Sequence, residues 1–433
     1  MTADISFGVD FGTTNTVVMR ADRHGSVSAV PLEKSGETTT GVHPSVLAFE
    51  PVEVAGRTQI DYETGHKAIE LAAEFPDDVR YIQSFKSHVA SAAFKHTNIF
   101  TKRFSFSDLM VSFFKNTTLL KAIEAAQGEK EIVLGRPVTF YGPFPDEALA
   151  LARYRDAFDR LGLKNVRIAL EPVGGAFSYF RALQESVTVL IADFGGGTSD
   201  FLITRFNHTP DAIQADPIAH AGIGIAGDSF DYRIIQNVLL KHLGSESECI
   251  VNGKTLPVPR KYYTSFSKWH LLTSLRTPVS LRELDEIKRS STEPDQIQNL
   301  IDVIEMNRGL ACFQAVSKAK AKLSSQDTAD LSIDLGNVKV TETLNRSAFE
   351  DWIAPDLAQI SHTVESLLQQ ADMPPARIDR VFMTGGSSLI PAVRKIFTDT
   401  FGTDQVVSGD EFGSVAQGLA LLGLAPDIDR WTS

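Results

Sequence analysis

Apolar positions along the chain switch between two rhythms. Ile5 to Asp10 and Asn15 to Arg20 predict two strands joined by the turn Phe11-Gly-Thr-Thr, with Val27 to Leu32 as a third strand. Residues 34–45 are rich in Gly, Thr and Ser and read as loop. Helical spacing follows at Thr64 to Phe75 and again as one long amphipathic helix from Asp108 to Ala126. Ile132 to Gly135 is expected as a buried strand, then a Pro/Gly loop at 137–145, a helix from Asp146 to Leu161 stopped by Gly162, and a strand at Val166 to Leu170.

The pattern then starts again. Val187 to Asp193 and Ser199 to Arg205 predict a second glycine-turn hairpin, an echo of the first that suggests an internal duplication. Residues 240–300 change character, with Gly-, Pro- and Lys-containing loops around short helices and a polar run at Lys288 to Gln296, and read as a separate subdomain of lower order. One long helix is expected from Ile297 to Leu323, a buried strand at Arg380 to Thr384, and helices at Pro391 to Phe401 and Val415 to Leu424. Strand and helix in alternation indicate an α/β protein with sheets covered by helices.

At 433 residues the chain is too long for one simple core and suits two lobes or two to three domains. Its 43% hydrophobic and 22% charged residues are ordinary for a globular protein, and a net charge of −12 argues against nucleic acid as the main partner. Cys249 and Cys312 have no metal-ligand spacing, and two cysteines make no disulfide framework. The N-terminus shows no signal-peptide pattern and no apolar run approaches membrane-spanning length, so the cytoplasm and no membrane partner are expected.

Five stretches carry the candidate chemistry: Phe7-Gly-Val-Asp-Phe-Gly-Thr-Thr-Asn15, Ser84-Phe-Lys86, Leu170-Glu-Pro172, Ile191-Ala-Asp-Phe-Gly-Gly-Gly-Thr-Ser-Asp200 and Val381-Phe-Met-Thr-Gly-Gly-Ser-Ser388. In the first, Gly12 lets the backbone turn so that successive N–H groups point at an anion, and the hydroxyls of Thr13 and Thr14 add donors. Asp10 can hold magnesium through water, since that ion keeps much of its hydration. Three consecutive glycines, Gly195 to Gly197, are costly in a folded core and imply close approach of a ligand to the backbone. Taken alone, Lys86 reads as a surface lysine and Glu171 as a solvated loop acid. Gly385-Gly-Ser-Ser388 leads into a helix whose N-terminus would face a ligand.

One motif points elsewhere. Gly222-Ile-Gly-Ile-Ala-Gly227 fits the dinucleotide pattern, but Ala215 to Ala221 contains Pro217 and His220 and reads as a poor buried strand, and no strand–helix–strand unit follows. The Asp193-Phe-Gly triplet has no His-Arg-Asp loop before it and is not a kinase activation segment.

Together the five stretches resemble the ATPase domain of the seventy-kilodalton heat-shock chaperones, of the actin-like ATPase superfamily, with the stand-alone YegD-type group most similar. The resemblance covers nearly the whole chain, most weakly at about 46–80 and 240–300. It implies an actin-like α/β fold of two lobes built on duplicated ribonuclease-H-like sheets, with ATP or ADP in the cleft between them. Lobe I would be 1–185, with 46–105 peripheral; lobe II would be 186–433, with about 231–310 peripheral and the final helix 415–424 packing back on lobe I.

The resemblance assigns catalytic roles to Lys86, Glu171, Asp193 and Thr198. Gly12, Thr13, Thr14, Asn15, Gly195, Gly196 and Gly197 would contact the phosphates, and Asp10, Asp193 and Asp200 would hold Mg2+, with a monovalent cation as a further candidate near Asp200. Gly227 and Asp228 fall on a family turn, Lys320 and Ser324 on a nucleotide-contacting helix, and Gly385, Gly386 and Ser387 on the adenosine loop. Two adenine-stacking arginines of the family correspond to Ala321 and Leu389 here, so base recognition is expected to be weakened. The chain is also expected to lack the linker and β-rich peptide-binding domain, leaving an ATP-hydrolysing conformational switch with co-chaperones or clients as candidate partners. A sugar-type kinase and an actin-like filament former are the alternatives.

Overall fold

The computed structural model describes residues 3–33, 41–54, 56–180, 185–208, 213–251, 253–266, 275–306, 308–409 and 413–433. They form a mixed α/β protein whose contacts separate two compact units. One comprises Met1–Ala72, Arg80–Gly227 and Leu357–Ser433; the other comprises Ala73–Val79 and Asp228–Asp356.

Two sheets organise the first unit. In one, β1 (Ile5–Phe11), β2 (Asn15–Asp22) and β3 (Val27–Ala29) form an antiparallel meander, β4 (Val42–Pro44) also pairs with β2, and β5 (Lys130–Arg136) and β6 (Arg167–Leu170) continue in parallel beyond β1. The other repeats this order. An antiparallel meander of β7 (Val187–Phe194), β8 (Ser199–His208) and β9 (Ile213–Ile223) is followed by β10 (Arg380–Thr384) and β11 (Val406–Ser408), in parallel beyond β7. Parallel neighbours need long crossovers, which helices such as α1 (Glu147–Arg160) supply. Central strands are apolar on both faces: every residue of β7 is buried.

Glycines set how closely the next two helices approach. α3 (Ser414–Leu422) crosses β1 and α2 (Glu171–Phe180). A Cβ on Gly418 would lie 1.6 Å from the Gly174 carbonyl oxygen, and one on Gly8 would lie 2.1 Å from that of Ala416. The backbones touch only because both positions lack side chains.

Several elements differ from the sequence expectation. The helix expected at 108–126 is two, Phe106–Lys115 and Leu119–Ala125. Asn116 turns its amide to the Tyr62 carbonyl at 2.8 Å and to Glu63 at 2.9 Å, and Thr117 bonds back to the Phe114 carbonyl at 2.9 Å. Such short polar side chains compete for backbone groups and end the helix. The expected helix 297–323 is also two, Pro294–Glu305 and Gly309–Leu323, with Asn307 outside the described residues. The first ends with Met306 donating back to Asp302, and Gly309, a poor helix former, opens the second. Residues 215–221 belong to a real strand, β9; it lies on the sheet edge, where Pro217 is tolerated. Its pairing is antiparallel, so the Gly222 motif ends no strand–helix–strand unit. Of the loop read at 34–45, residues 34–40 lie outside the described residues and 42–44 form β4.

The second unit is more regular than its composition suggests. Helices Arg260–Phe266, Pro278–Ser290 and Pro294–Glu305 replace much of the expected loop structure, although 267–274 lie outside the described residues. Pro278 and Pro294 sit in first helical turns, where a missing N–H costs nothing.

Candidate phosphate and cation site

Both glycine hairpins turn through four residues. Phe11 pairs with Thr16 in one and Phe194 with Ser199 in the other. Gly12 N–H donates to the Asn15 carbonyl at 2.9 Å, and Gly195 N–H to the Thr198 carbonyl at 3.0 Å. In each Asp-Phe-Gly the alternation of the strand sends Asp and Phe to opposite faces. Phe11 packs among Phe85, Phe113 and Phe114 at 5.4–5.7 Å between ring centroids; Phe194 packs on Phe201 and Phe397 at 5.9 and 5.8 Å. The two turns meet at Gly197, where a Cβ would lie 3.4 Å from Thr13 Oγ1.

The Phe11–Phe85 contact also places the next residue, Lys86. Far from being surface groups, Lys86 and Glu171 are 7% and 6% exposed, and Lys86 Nζ donates to Glu171 Oε1 at 2.6 Å. Glu171 heads α2, so it is held at a helix start where a carboxylate is favoured. Burial works against the ammonium, but Glu171, Tyr154 and Asp10 hold the Lys86 pKa above its ordinary value.

Three aspartates share this region with Glu171. Burial, then the charge of Glu171, pushes Asp10 up to about 7, with Lys86 pulling the other way. Burial, then Glu171, Asp10 and Asp200, raises Asp193 well above its ordinary value. Asp200 reaches about 7 from burial and Glu171, although Thr198 Oγ1 donates to its Oδ2 at 2.8 Å and the Val138 N–H to its Oδ1 at 2.7 Å. Four carboxyl groups against one lysine leave an excess of negative charge that a cation would relieve. Among the described residues no three His, Cys, Asp or Glu side chains are arranged to ligate one metal directly.

Two supports of Asp200 were not legible as site residues. Val138 lies in the Pro/Gly loop after β5, 62 positions away in the chain. Gly222 faces Asp200 from β9, where a Cβ would come within 2.7 Å of Asp200 Oδ1. The glycine of the apparent dinucleotide motif thus makes room for a carboxylate, a role its spacing does not encode.

The remaining candidates fall in two places. Gly227 N–H reaches the Gly195 carbonyl at 3.3 Å, and Gly385, at φ +83°, would put a Cβ 2.1 Å from the Phe194 carbonyl oxygen. Gly386 and Ser387 continue as a single 3-10 turn, Gly386–Leu389, before the helix Pro391–Phe401 begins. All of these belong to the first unit. Asp228, Lys320 and Ser324 belong to the second. There Lys320 Nζ lies 2.9 Å from Asp231 Oδ1, burial and Asp231 raise Asp228 to about 6, and Ser324 caps the helix Gly309–Leu323.

Residues 292–426 match the family model of the Hsp70 protein. The matched span begins in the second unit and takes in β10, β11 and α3 but none of Asp10, Lys86, Glu171, Asp193 or Asp200. Members of that family hydrolyse ATP. Among the described residues no helix is long and apolar enough to cross a membrane.

Proposed function

We propose that the chain is a magnesium-dependent ATPase that holds the nucleotide phosphates between the Gly12 and Gly195 hairpins and uses hydrolysis as a conformational switch. The carrying observation is the buried Lys86–Glu171 pair, set beside Asp10, Asp193 and Asp200 where two glycine turns meet. The repeated sheet order is what a duplicated, ribonuclease-H-like actin fold requires.

Phosphoryl transfer to water asks the protein mainly for positioning and charge stabilisation. Backbone N–H groups of the turns, with Thr13, Thr14 and Thr198, would bind phosphate oxygens. Lys86 supplies the positive charge for the terminal phosphate. Glu171 and Asp193 would orient the attacking water and accept its proton. Asp10, Asp193 and Asp200 would hold magnesium through its water shell, and the ion, when bound, neutralises phosphate charge. The excess of carboxylates fits that role.

Calorimetry with ATP, ADP and GTP, with and without magnesium, tests the reading together with phosphate release in the absence of any acceptor. Magnesium-dependent ATP binding and acceptor-free release are expected. ADP formation only when a sugar or other hydroxyl acceptor is added, with the phosphoryl group recovered on that acceptor and none released as free phosphate, would replace the ATPase by a kinase. The switch requires ATP to favour one conformation over another, so magnesium-ATP should alter the pattern of limited proteolysis.

A further inference from the structure

Tyr154, on α1, is among the largest fully buried side chains, at 1% exposed. Its ring stands 6.1 Å from Phe106, edge to face, and 6.4 Å from Phe140. Inside that apolar setting its hydroxyl has no hydrogen-bond partner among the described residues. A phenylalanine would fill the same space without leaving a polar atom unsatisfied, so the hydroxyl lowers stability as it stands. Such orphaned groups in a well-packed interior call for a reason beyond packing.

The surroundings point to one. The charges acting on the phenol are those of Lys86, Glu171 and Arg136, and burial holds the phenol protonated. Arg136 is engaged elsewhere, with Glu147 at 2.9 Å and the Phe140 ring at 5.9 Å. Lys86 is a donor and cannot accept from the hydroxyl. Glu171 accepts from Lys86 through Oε1 and has a second oxygen that can accept from a hydroxyl.

We propose that Tyr154 is a positioning residue for the Lys86–Glu171 pair, its hydroxyl donating to Glu171 once nucleotide is bound and fixing the direction in which that carboxylate faces the attacking water. This rests on the ATPase reading above. Tyr154 touches no reacting atom; it acts through Glu171.

Tyr154→Phe separates this role from a packing role. The variant should keep its ATP dissociation constant within about twofold and melt no lower than the wild type, while single-turnover hydrolysis slows about tenfold, the size typical of losing a group that orients a reacting side chain. Tyr154→Leu, which removes the ring, should melt lower and marks what a packing loss looks like. A second readout needs no turnover: magnesium-ADP should shift the phenol C–O stretch of Tyr154, read by infrared difference between wild type and Tyr154→Phe. Wild-type turnover in Tyr154→Phe, or no shift of the stretch, overturns the proposal. A wild type that neither binds nor hydrolyses ATP removes the ATPase reading and this one with it, and that result is seen before any variant is compared.

Discussion

Phe11 and Phe194 occupy the same place in two hairpins with turns of equal length, each followed by a glycine whose N–H closes the turn. The bracing behind them is different. In the first hairpin, β4 clamps the turn from outside: Ser45 N–H donates to the Thr14 carbonyl at 2.8 Å, and Ser45 Oγ meets Thr16 Oγ1 at 2.8 Å. In the second, support comes from other strands: the loop after β5 bonds Asp200, and Gly385 packs on Phe194. One plan has therefore been completed by unrelated contacts. The first hairpin is braced by a segment that follows soon after it in the chain, whereas the second depends on partners more distant in sequence.

The largest difference should appear in the chemistry. Burial comes first at both Asp193 and Asp10; the charge of Glu171 raises both, and Asp10 and Asp200 also act on Asp193. Asp193→Asn is expected to slow ATP turnover about 100-fold or more while ATP still binds, and Lys86→Ala should do comparable damage; Asp10→Asn should cost about tenfold. Stopped-flow phosphate release measures all three. Equal losses at Asp10 and Asp193 would erase the distinction between the hairpins.

Next in size is the glycine itself. A Cβ on Gly12 would stand 2.4 Å from the Asn15 carbonyl oxygen, the acceptor of its own turn, and backbone cannot move aside. At Gly195 the corresponding distance to the Thr198 carbonyl is 3.4 Å, an ordinary contact. Gly12→Ala is expected to cost about 3 kcal/mol, at the upper end for overpacking, and to weaken tripolyphosphate binding at least tenfold. Gly195→Ala should stay within about 0.5 kcal/mol. Denaturant midpoints and calorimetry on the pair decide it, and similar losses at both sites would count against the comparison.

These contrasts also explain what could be read from the residues alone. Period-two alternation around a glycine cluster is a local signal, so both hairpins are visible in the sequence. Burial of Lys86 and Glu171 is not: Lys86 follows Phe85, which packs on Phe106 and Phe113, and its partner Glu171 lies 85 positions further along the chain. The bracing of Asp200 by a backbone N–H leaves no residue-type signature at Val138. Gly222 looks like part of a phosphate loop because a glycine needed for a carboxylate and one needed for a pyrophosphate are the same residue. The break at Asn116 was readable in principle: Asn-Thr-Thr interrupts an apolar helical rhythm that otherwise continues on both sides.

A smaller effect distinguishes the hairpins by pH. His43, on β4 beside the first turn, is buried with Nε2 3.3 Å from Thr64 Oγ1 and Nδ1 3.4 Å from Glu33. Burial, aided by His66 and opposed by Glu33, lowers its pKa to about 4. The unfolded chain, with histidine near about 6.5, therefore binds more protons between those values, and stability is lost as pH falls through that window: about 2 kcal/mol by pH ~5. Asp10 and Asp200, raised to about 7, act in the opposite sense, adding stability as pH falls below that value. The wild-type profile mixes the two. His43→Gln, which can keep the Thr64 bond and does not titrate, isolates the first: the stability gap between variant and wild type should move by about 2 kcal/mol in the variant's favour from pH ~7 to ~5. A gap that does not move would show that His43 is not held neutral.

The smallest expected effect lies at Leu389, in the turn after β10 that the second sheet has and the first uses differently. After β5 the chain reaches across to Asp200, while after β10 it stays with its own hairpin at Phe194 and leaves Leu389 46% exposed. The resemblance to heat-shock ATPases puts an adenine-stacking arginine there. A guanidinium over the base contributes roughly 0.5–2 kcal/mol, most when desolvated, and leucine forgoes it. Leu389→Arg should therefore tighten ATP severalfold while changing tripolyphosphate less, since a stacking contact is absent without the base. Charge alone would favour both anions, and the control separates the two causes: equal gains for ATP and tripolyphosphate mean that the new arginine acts through long-range attraction and that adenine does not lie beside this turn. A gain confined to ATP would place base recognition with the second hairpin and leave the first to the phosphates alone.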